Sequence, residues 1–212
     1  MQAERSYFDD VLSTTRSIRW RLDLQRPVDR ETLIECIRLA TFAPNASNAQ
    51  DWRWIVVDDP EIKRFVADRY RAGMMETMQG LLAERERNGD EAGVRHSRAT
   101  IHLGQVLEQV PVHVIPCMRG RIEEDPSLGH VTRLLGSIYP AVWSFQLALR
   151  SHGLGSTLTT SHLLSEPEVA ERLGVPDDYT QVALIPVAHI KGGDVSPPPR
   201  RPVEEVIGWN GW

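Results

Sequence analysis

The sequence predicts an α/β or α+β sheet protein. Short stretches rich in β-branched and aromatic residues alternate with amphipathic stretches at helical spacing. Helix caps and helix stops fall between them where such an alternation needs them. No internal repeat breaks the pattern, and no apolar run approaches the roughly 20 residues that span a bilayer. A chain of 212 residues, 41% hydrophobic and 25% charged, is an ordinary globular composition, sufficient for one domain or at most two small ones. At this size it buries roughly 70% of its unfolded surface and needs no disulfide to fold.

The elements run in order from the N-terminus. Tyr7 to Trp20 mixes apolar and polar residues and leads into Arg16-Ser17-Ile18-Arg19. Asp29 is an N-cap for a helix whose Leu33, Ile34, Ile37 and Ala40 recur on one face, and Pro44 stops it. Asn45 to Gln50 is a polar loop. Trp52 to Val57 has strand composition. Asp58-Asp59-Pro60 opens a helix with proline at its first position, running through Met74, Met75 and Met78. Glu84 to Gly93, charged and glycine-containing, reads as a mobile surface excursion or lid. Helical periodicity resumes over Arg98 to Leu107, and Val112 to Cys117 is an apolar strand. Arg119 to Pro126 is a polar loop, and Ser137 to His152 is a long helix ended by Gly153. Ser156 to Thr160 is a short strand. Glu166 to Leu173 is a helix between Pro167 and Gly174, and Val182 to Ile190 is a buried strand despite Pro186. From Lys191 onward, Gly192-Gly193 and Pro197-Pro198-Pro199 mark an extended arm, 191–212, belonging to the domain formed by residues 1–190.

Charge and motif content narrow the function. The net charge of −5 argues against wrapping nucleic acid, because phosphate neutralisation needs a basic surplus. Cys36 and Cys117 stand far apart among apolar neighbours, as buried inert thiols rather than a disulfide framework or a zinc site. The N-terminus has no apolar signal core, so the cytoplasm is the expected location. No GxGxxG, GxxxxGK[ST] or GxSxG occurs; Gly153-Leu154-Gly155 is only a fragment of the first and fits a helix end and tight turn. The seven histidines form no HExxH pair, and no metal is expected.

The groups left over suit a phosphorylated planar cofactor. Arg16 and Arg19 lie near one end of the chain, and Arg200 and Arg201 near the other. Between them lie Asn45-Ala46-Ser47-Asn48-Ala49-Gln50 and Thr157-Leu158-Thr159-Thr160-Ser161. Arginine offers forked donors to phosphate oxygens. Hydroxyls satisfy the remaining oxygens, and carboxamides read a ring edge carrying both donors and acceptors. Each piece also has a plainer reading, as a solvated helix face, a polar turn and a tail.

Four stretches, in order, resemble the FMN-dependent nitroreductase superfamily, which includes flavin-destructase and iodotyrosine-deiodinase branches. Thr15-Arg16-Ser17-Ile18-Arg19 is similar to the family's Arg-Arg-Ser-Val-Arg. Ala43-Pro44-Asn45-Ala46-Ser47-Asn48-Ala49-Gln50-Asp51-Trp52 is similar to Ala-Pro-Ser-x-x-Asn-x-Gln-Pro-Trp. His152-Gly153-Leu154-Gly155-Ser156-Thr157 resembles its Leu-Gly-Leu-Gly turn. Ile185-Pro186-Val187-Ala188, followed by Arg200-Arg201-Pro202-Val203-Glu204-Glu205-Val206, resembles its last strand and Arg-Lys-Pro-Leu-Glu-Glu-Val ending.

The resemblance implies an α+β fold with a mixed central sheet flanked by helices, two chains interlocked as a homodimer, and a C-terminal arm that embraces the partner. It implies that Arg16, Ser17 and Arg19 bind the FMN phosphate, ribityl chain or pyrimidine edge, with Arg200 and Arg201 closing on the phosphate. Asn45, Ala46, Ser47, Asn48 and Gln50 would come from the other subunit, and Thr159, Thr160 and Ser161 would place a backbone N–H near the hydride-accepting flavin nitrogen. The flavin carries the chemistry and no protein nucleophile is needed. The implied activity moves electrons from NADPH or NADH through FMN to an electron-poor small molecule, such as a nitroaromatic or quinone, in a ping-pong cycle. Flavin destruction, reductive dehalogenation, flavin storage and a deazaflavin in place of FMN are the alternatives. Thr15 replaces the family's first arginine, Asp51 its proline, and Asn45 and Ala46 small hydroxyl residues. The acceptor would be selected by 74–102, Trp20 and 119–130. Trp209 and Trp212 either pack on the partner or are loosely ordered.

Overall fold

A computed structural model describes residues 6–122 and 127–212. It holds α1 (Tyr7–Thr14), α2 (Arg30–Ala40), β1 (Trp52–Val57), α3 (Pro60–Arg87), α4 (Glu91–Val106) and β2 (Val112–Arg119). These are followed by α5 (Leu128–Ser151), β3 (Leu154–Ser156), α6 (Glu166–Leu173), β4 (Tyr179–Gln181) and β5 (Ile185–His189). The strands run β1-β2-β5-β3 across one antiparallel sheet, with β4 also paired to β2. β4 takes the Cys117–Arg119 end of β2 and β5 the Val112–Val114 end. The expected mixed sheet is thus α+β as read, but its named strands are all antiparallel. The parallel element among the described residues is a single bridge, Ser17 to Ser156.

Period-two alternation on β2 explains the layers. Val112, Val114 and Met118 face a core shared with α2 and α5, through Leu33, Cys36, Ile138 and Phe145. Ile115 and Cys117 face the opposite core, made with α3, α4 and α6 through Val66, Tyr70, Leu103 and Val169. Covered on both faces, β2 reads as a continuous apolar run.

Local chemistry sets the helix starts. The Asp29 carboxylate accepts from the Thr32 amide at 2.8 Å, and Asp59 accepts from Glu61 and Ile62, each at 2.9 Å. Pro60 then occupies the first turn, where no amide partner is missed. At the far end of α6, Gly174 takes φ 66°, the left-handed stop that glycine adopts without a Cβ penalty.

Several expectations need correction. Glu84 to Gly93 is no lid or excursion: α3 continues to Arg87, Asn88-Gly89-Asp90 turns, and α4 begins at Glu91. Arg85 ties that turn together, donating to the Gly93 carbonyl and the Ser97 hydroxyl. α4 therefore starts seven residues before the expected Arg98. α5 starts at Leu128 rather than Ser137, capped by the Ser127 hydroxyl accepting from the His130 amide. The short strand is Leu154–Ser156, not Ser156 to Thr160; Thr159 forms only a bridge to Leu184. Val182 to Ile190 narrows to β5, with β4 before it. α1 lies in a stretch for which the sequence suggested no element. Of the proposed loop 119–126, Arg119 belongs to β2 and residues 123–126 lie outside the described residues, as do the first five residues read for a signal. Ile34, placed on the buried face of α2, is 59% exposed.

Beyond Lys191 the described chain has one short turn, Val203–Glu205, and no strand or long helix. Val195 is buried in the second core, whereas Val203, Val206, Ile207, Trp209 and Trp212 are exposed. Among the described residues no helix is long and apolar enough to cross a membrane.

Candidate functional site

The first basic cluster sits where the N-terminal chain is laced onto the sheet edge. Ser17 bridges Ser156, and the Ile18 amide donates to the Ser156 carbonyl at 2.9 Å. Ile18 is buried, so its neighbours Ser17 and Arg19 project away from it. Close packing maintains this junction: a Cβ on Gly155 would stand 2.9 Å from Ile190 and 3.1 Å from Ile18. Ser156 is itself held from beneath, its hydroxyl accepting from the Gln146 carboxamide at 3.1 Å.

Arg19 is the unusual member. Its Nε is buried and has no hydrogen-bond partner among the described residues. Burial pulls its guanidinium below the ordinary value, and nearby Tyr70 opposes that shift. An arginine stays charged in any case, so this is a cation with donor capacity in reserve. Tyr70 is fully buried on α3 and its hydroxyl accepts from Thr159 at 3.3 Å. The Thr159 main chain is fixed by reciprocal bonds with Leu184, at 3.0 and 2.7 Å. Ser161 lies so near α3 that a Cβ on Gly73 would meet its carbonyl at 2.5 Å. Arg16, Ser17, Arg19 and the Thr159–Ser161 segment are thus brought to one region.

α4 forms the wall of that region. Trp20 stacks on His102, with centroids 3.9 Å apart and planes 15° from parallel. Burial lowers the His102 pKa, which favours the neutral ring. His96, six residues earlier on α4, is lowered by burial and then by the Arg19 and Arg85 cations.

The second motif lies elsewhere. Asn45 to Gln50 folds as a tight turn in which Ser47, Asn48 and Gln50 all take positive φ, at 56°, 51° and 52°. The Asn45 side chain accepts from the Gln50 amide at 2.9 Å, and the Ala46 amide donates to Ser137 on α5 at 3.1 Å. The turn adjoins the C-terminal end of β2, where the Arg119 amide donates to Asp51. Ser156 pairs through Val187 with Val112, at the other end of β2. Seven residue steps at ~3.3 Å separate these ends by about 23 Å along the strand. One protomer does not bring the Asn45–Gln50 turn to Arg19.

Arg200 and Arg201 are exposed, and Arg200 bonds only the Pro199 carbonyl among the described residues. No hydrogen bond or ion pair among the described residues joins them to the first cluster. Cys36 and Cys117 are buried, and burial raises their thiols to about 11 and about 12, which suppresses thiolate chemistry. Tyr70 and Gln146 were not expected as site residues. Each sits at an ordinary core-facing helical position, and only the tertiary packing reveals its hydroxyl or carboxamide partner.

A model of the nitroreductase family matches residues 12–189. A Bacillus subtilis (strain 168) protein with the provisional name NAD(P)H nitroreductase YdgI is 27% identical over 210 residues, covering 95% of this chain and 97% of its own. The 5,6-dimethylbenzimidazole synthase of Rhodobacter capsulatus is 25% identical over 197 residues, covering 87% and 86%. A solved iodotyrosine deiodinase bound to FMN and 3-iodo-L-tyrosine superposes with a TM-score of 0.71, at 21% identity over 97% of this chain and 99% of that one, which shows the shared fold.

Proposed function

Because the chain belongs to the nitroreductase family, we propose that it is an FMN-dependent oxidoreductase that takes electrons from NADPH or NADH and passes them to an electron-poor small molecule. The observation that carries this reading is Arg19: a half-buried cation whose Nε lacks a partner among the described residues, two residues from Ser17 and near Tyr70, which in turn bonds Thr159. Those donors suit an anionic, ring-edged cofactor. FMN, when bound, supplies hydride and electron transfer between nicotinamide and acceptor.

The protein's part is binding and electrostatics. Arg19 would place positive charge where a reduced ring system becomes anionic, and its partly buried setting would strengthen that interaction. The Thr159 amide is spent on the Leu184 carbonyl, and Ser161 lies against α3, so a backbone N–H from Thr160 or Ser161 would be presented without reorganisation. Trp20, stacked on His102, would offer an acceptor a flat apolar surface. Arg200 and Arg201 would close on the cofactor phosphate.

The site is completed by a second copy of the chain. The distance between the Asn45–Gln50 turn and Arg19 within one protomer supports this. So do the free edge of β1, which pairs only with β2 among the described residues, and exposed Tyr7, Phe8, Phe42 and Trp143. The apolar residues of the C-terminal segment suit an arm lying on the partner.

The test is an absorbance spectrum of the purified protein before and after anaerobic NADPH, then NADH. A flavin spectrum that bleaches supports a reductase. A spectrum that stays oxidised points to storage, and a colourless protein that takes up no FMN overturns the reading. Arg200→Ala should lose FMN without losing the dimer; a fully yellow variant refutes the phosphate assignment. The similarity to a 5,6-dimethylbenzimidazole synthase and an iodotyrosine deiodinase favours a second reading, flavin destruction or reductive dehalogenation. Release of flavin fragments under air, or of halide from a halophenol, distinguishes it.

A further inference from the structure

Arg21 stands two residues beyond Arg19 and makes an unusual set of contacts. Its Nε donates to the Lys191 carbonyl at 2.7 Å, one terminal nitrogen to the Asp194 carbonyl at 3.2 Å, and the other to the Gly193 carbonyl. Its own backbone continues the sheet: the Lys191 amide donates to the Arg21 carbonyl at 2.7 Å, and Leu22 bridges Ile190. One planar fork therefore holds three carbonyls of the four-residue bend where the C-terminal segment leaves β5. The bend needs Gly192 at φ 78°, and a Cβ there would lie 3.6 Å from the Arg21 guanidinium.

The chain beyond the bend gives the clamp leverage. Val195 is buried against the second core, and Pro197-Pro198-Pro199 then leads to Arg200. Three successive prolines favour polyproline II, a semi-rigid rod rising about 3.1 Å per residue. At that rise Arg200 would stand roughly 15 Å from Val195, on a spacer stiffened by its three prolines. The direction set at the bend is carried to the rod's tip, where a flexible linker would lose it.

The geometry points to Arg21 as a positioning residue. By clamping the Lys191–Asp194 bend it aims the proline rod, and so fixes where Arg200 meets the cofactor phosphate. This rests on the FMN reading above. Charge alone does not meet the requirement: a lysine at position 21 keeps the cation but lacks the fork that spans three acceptors.

The experiment measures FMN affinity by flavin fluorescence in the full-length protein. It compares wild type, Arg21→Ala, Arg21→Lys, Arg200→Ala and the Arg21→Ala/Arg200→Ala double variant. Cleavage by trypsin after Lys191 is followed in parallel. Arg21→Ala and Arg21→Lys should each raise the Kd about tenfold, the scale of one charge-assisted contact, and speed cleavage after Lys191. In the Arg200→Ala background, Arg21→Ala should change the Kd no further. Replacing Pro197, Pro198 and Pro199 together by glycine softens the rod and leaves the clamp intact. It should weaken FMN in the wild-type background, leave the Arg200→Ala protein unchanged, and keep the hold on Lys191. This serves if Arg21→Ala does not fold. Additive losses, a wild-type Kd in Arg21→Lys, or a triple-glycine variant with undiminished affinity would overturn the positioning role while leaving FMN binding intact. A wild-type protein that takes up no FMN overturns both.

Discussion

Gly73 and Gly80 lie on the same helix and ask opposite things of an added methyl group. A Cβ at Gly73 would stand 2.5 Å from the Ser161 carbonyl and 3.1 Å from Leu164, whereas one at Gly80 meets nothing within 4 Å. Both substitutions gain about 1 kcal/mol of helix propensity over glycine. Gly80→Ala keeps that gain. Gly73→Ala offsets it with overpacking, which costs about 1–3 kcal/mol because the obstacle is main chain that cannot rotate away. The two variants should differ by roughly 1–3 kcal/mol, and at about 2–4 °C per kcal/mol for a chain of this size their melting temperatures should separate by several degrees. Thermal melts at equal protein concentration read the difference. Gly73→Ala should also bind FMN more weakly, since relieving the contact moves Ser161. A Gly73→Ala protein as stable as Gly80→Ala would refute the close packing of α3 on the Thr159–Ser161 segment.

Acid stability, helix capping and thiol reactivity give three further tests. His113 and His162 are fully buried and held near a pKa of about 4, by burial above all. Lys63 and His162 add to the shift at His113 against the Leu107 carbonyl, and Glu166 opposes it at His162. Unfolded histidine protonates near 6.5, so between 6.5 and 4 the unfolded chain binds more protons and stability falls as pH falls, by about 2 kcal/mol per histidine at pH 5. Urea midpoints at pH 7 and pH 5 measure this, and an unchanged midpoint would contradict the burial. Asp29→Ala should cost about 1 kcal/mol by removing the cap of α2, seen as a lower urea midpoint at constant m. In the native protein at pH 8, Cys36 and Cys117 should resist a thiol reagent that titrates both in denaturant; prompt native labelling would refute their burial.

Local chemistry was the most legible part of the fold. Asp29, Asp59-Pro60 and Gly174 announce helix ends through side-chain oxygens, a fixed φ and a missing Cβ, all written in a few adjacent residues. The early part of α5 was not legible, because Gly129 and Gly136 depress helix propensity and only packing of Leu134 and its neighbours restores it. The 84–93 stretch misled for a related reason. Its charges are the solvated surface of a helical hairpin, and composition alone does not separate that from a loop. At the site, the residue types of Arg16 to Arg19 were visible in the sequence, but the burial of Arg19 beside Tyr70 was not. The Arg21 clamp was invisible too, since its acceptors are main-chain atoms some 170 residues away.

The pairing of Ser17 with Ser156 and of Leu22 with Ile190 also sets a timetable. Ribosomes add about 5–20 residues per second. Arg16 and Arg19 therefore emerge roughly 7–30 s before the strand residues that seat them have been made. Throughout that interval the amphipathic α1 and the basic cluster are without their sheet. Seating of Ser17 and Leu22 therefore waits for Ser156 and Ile190, whatever α1 does on its own.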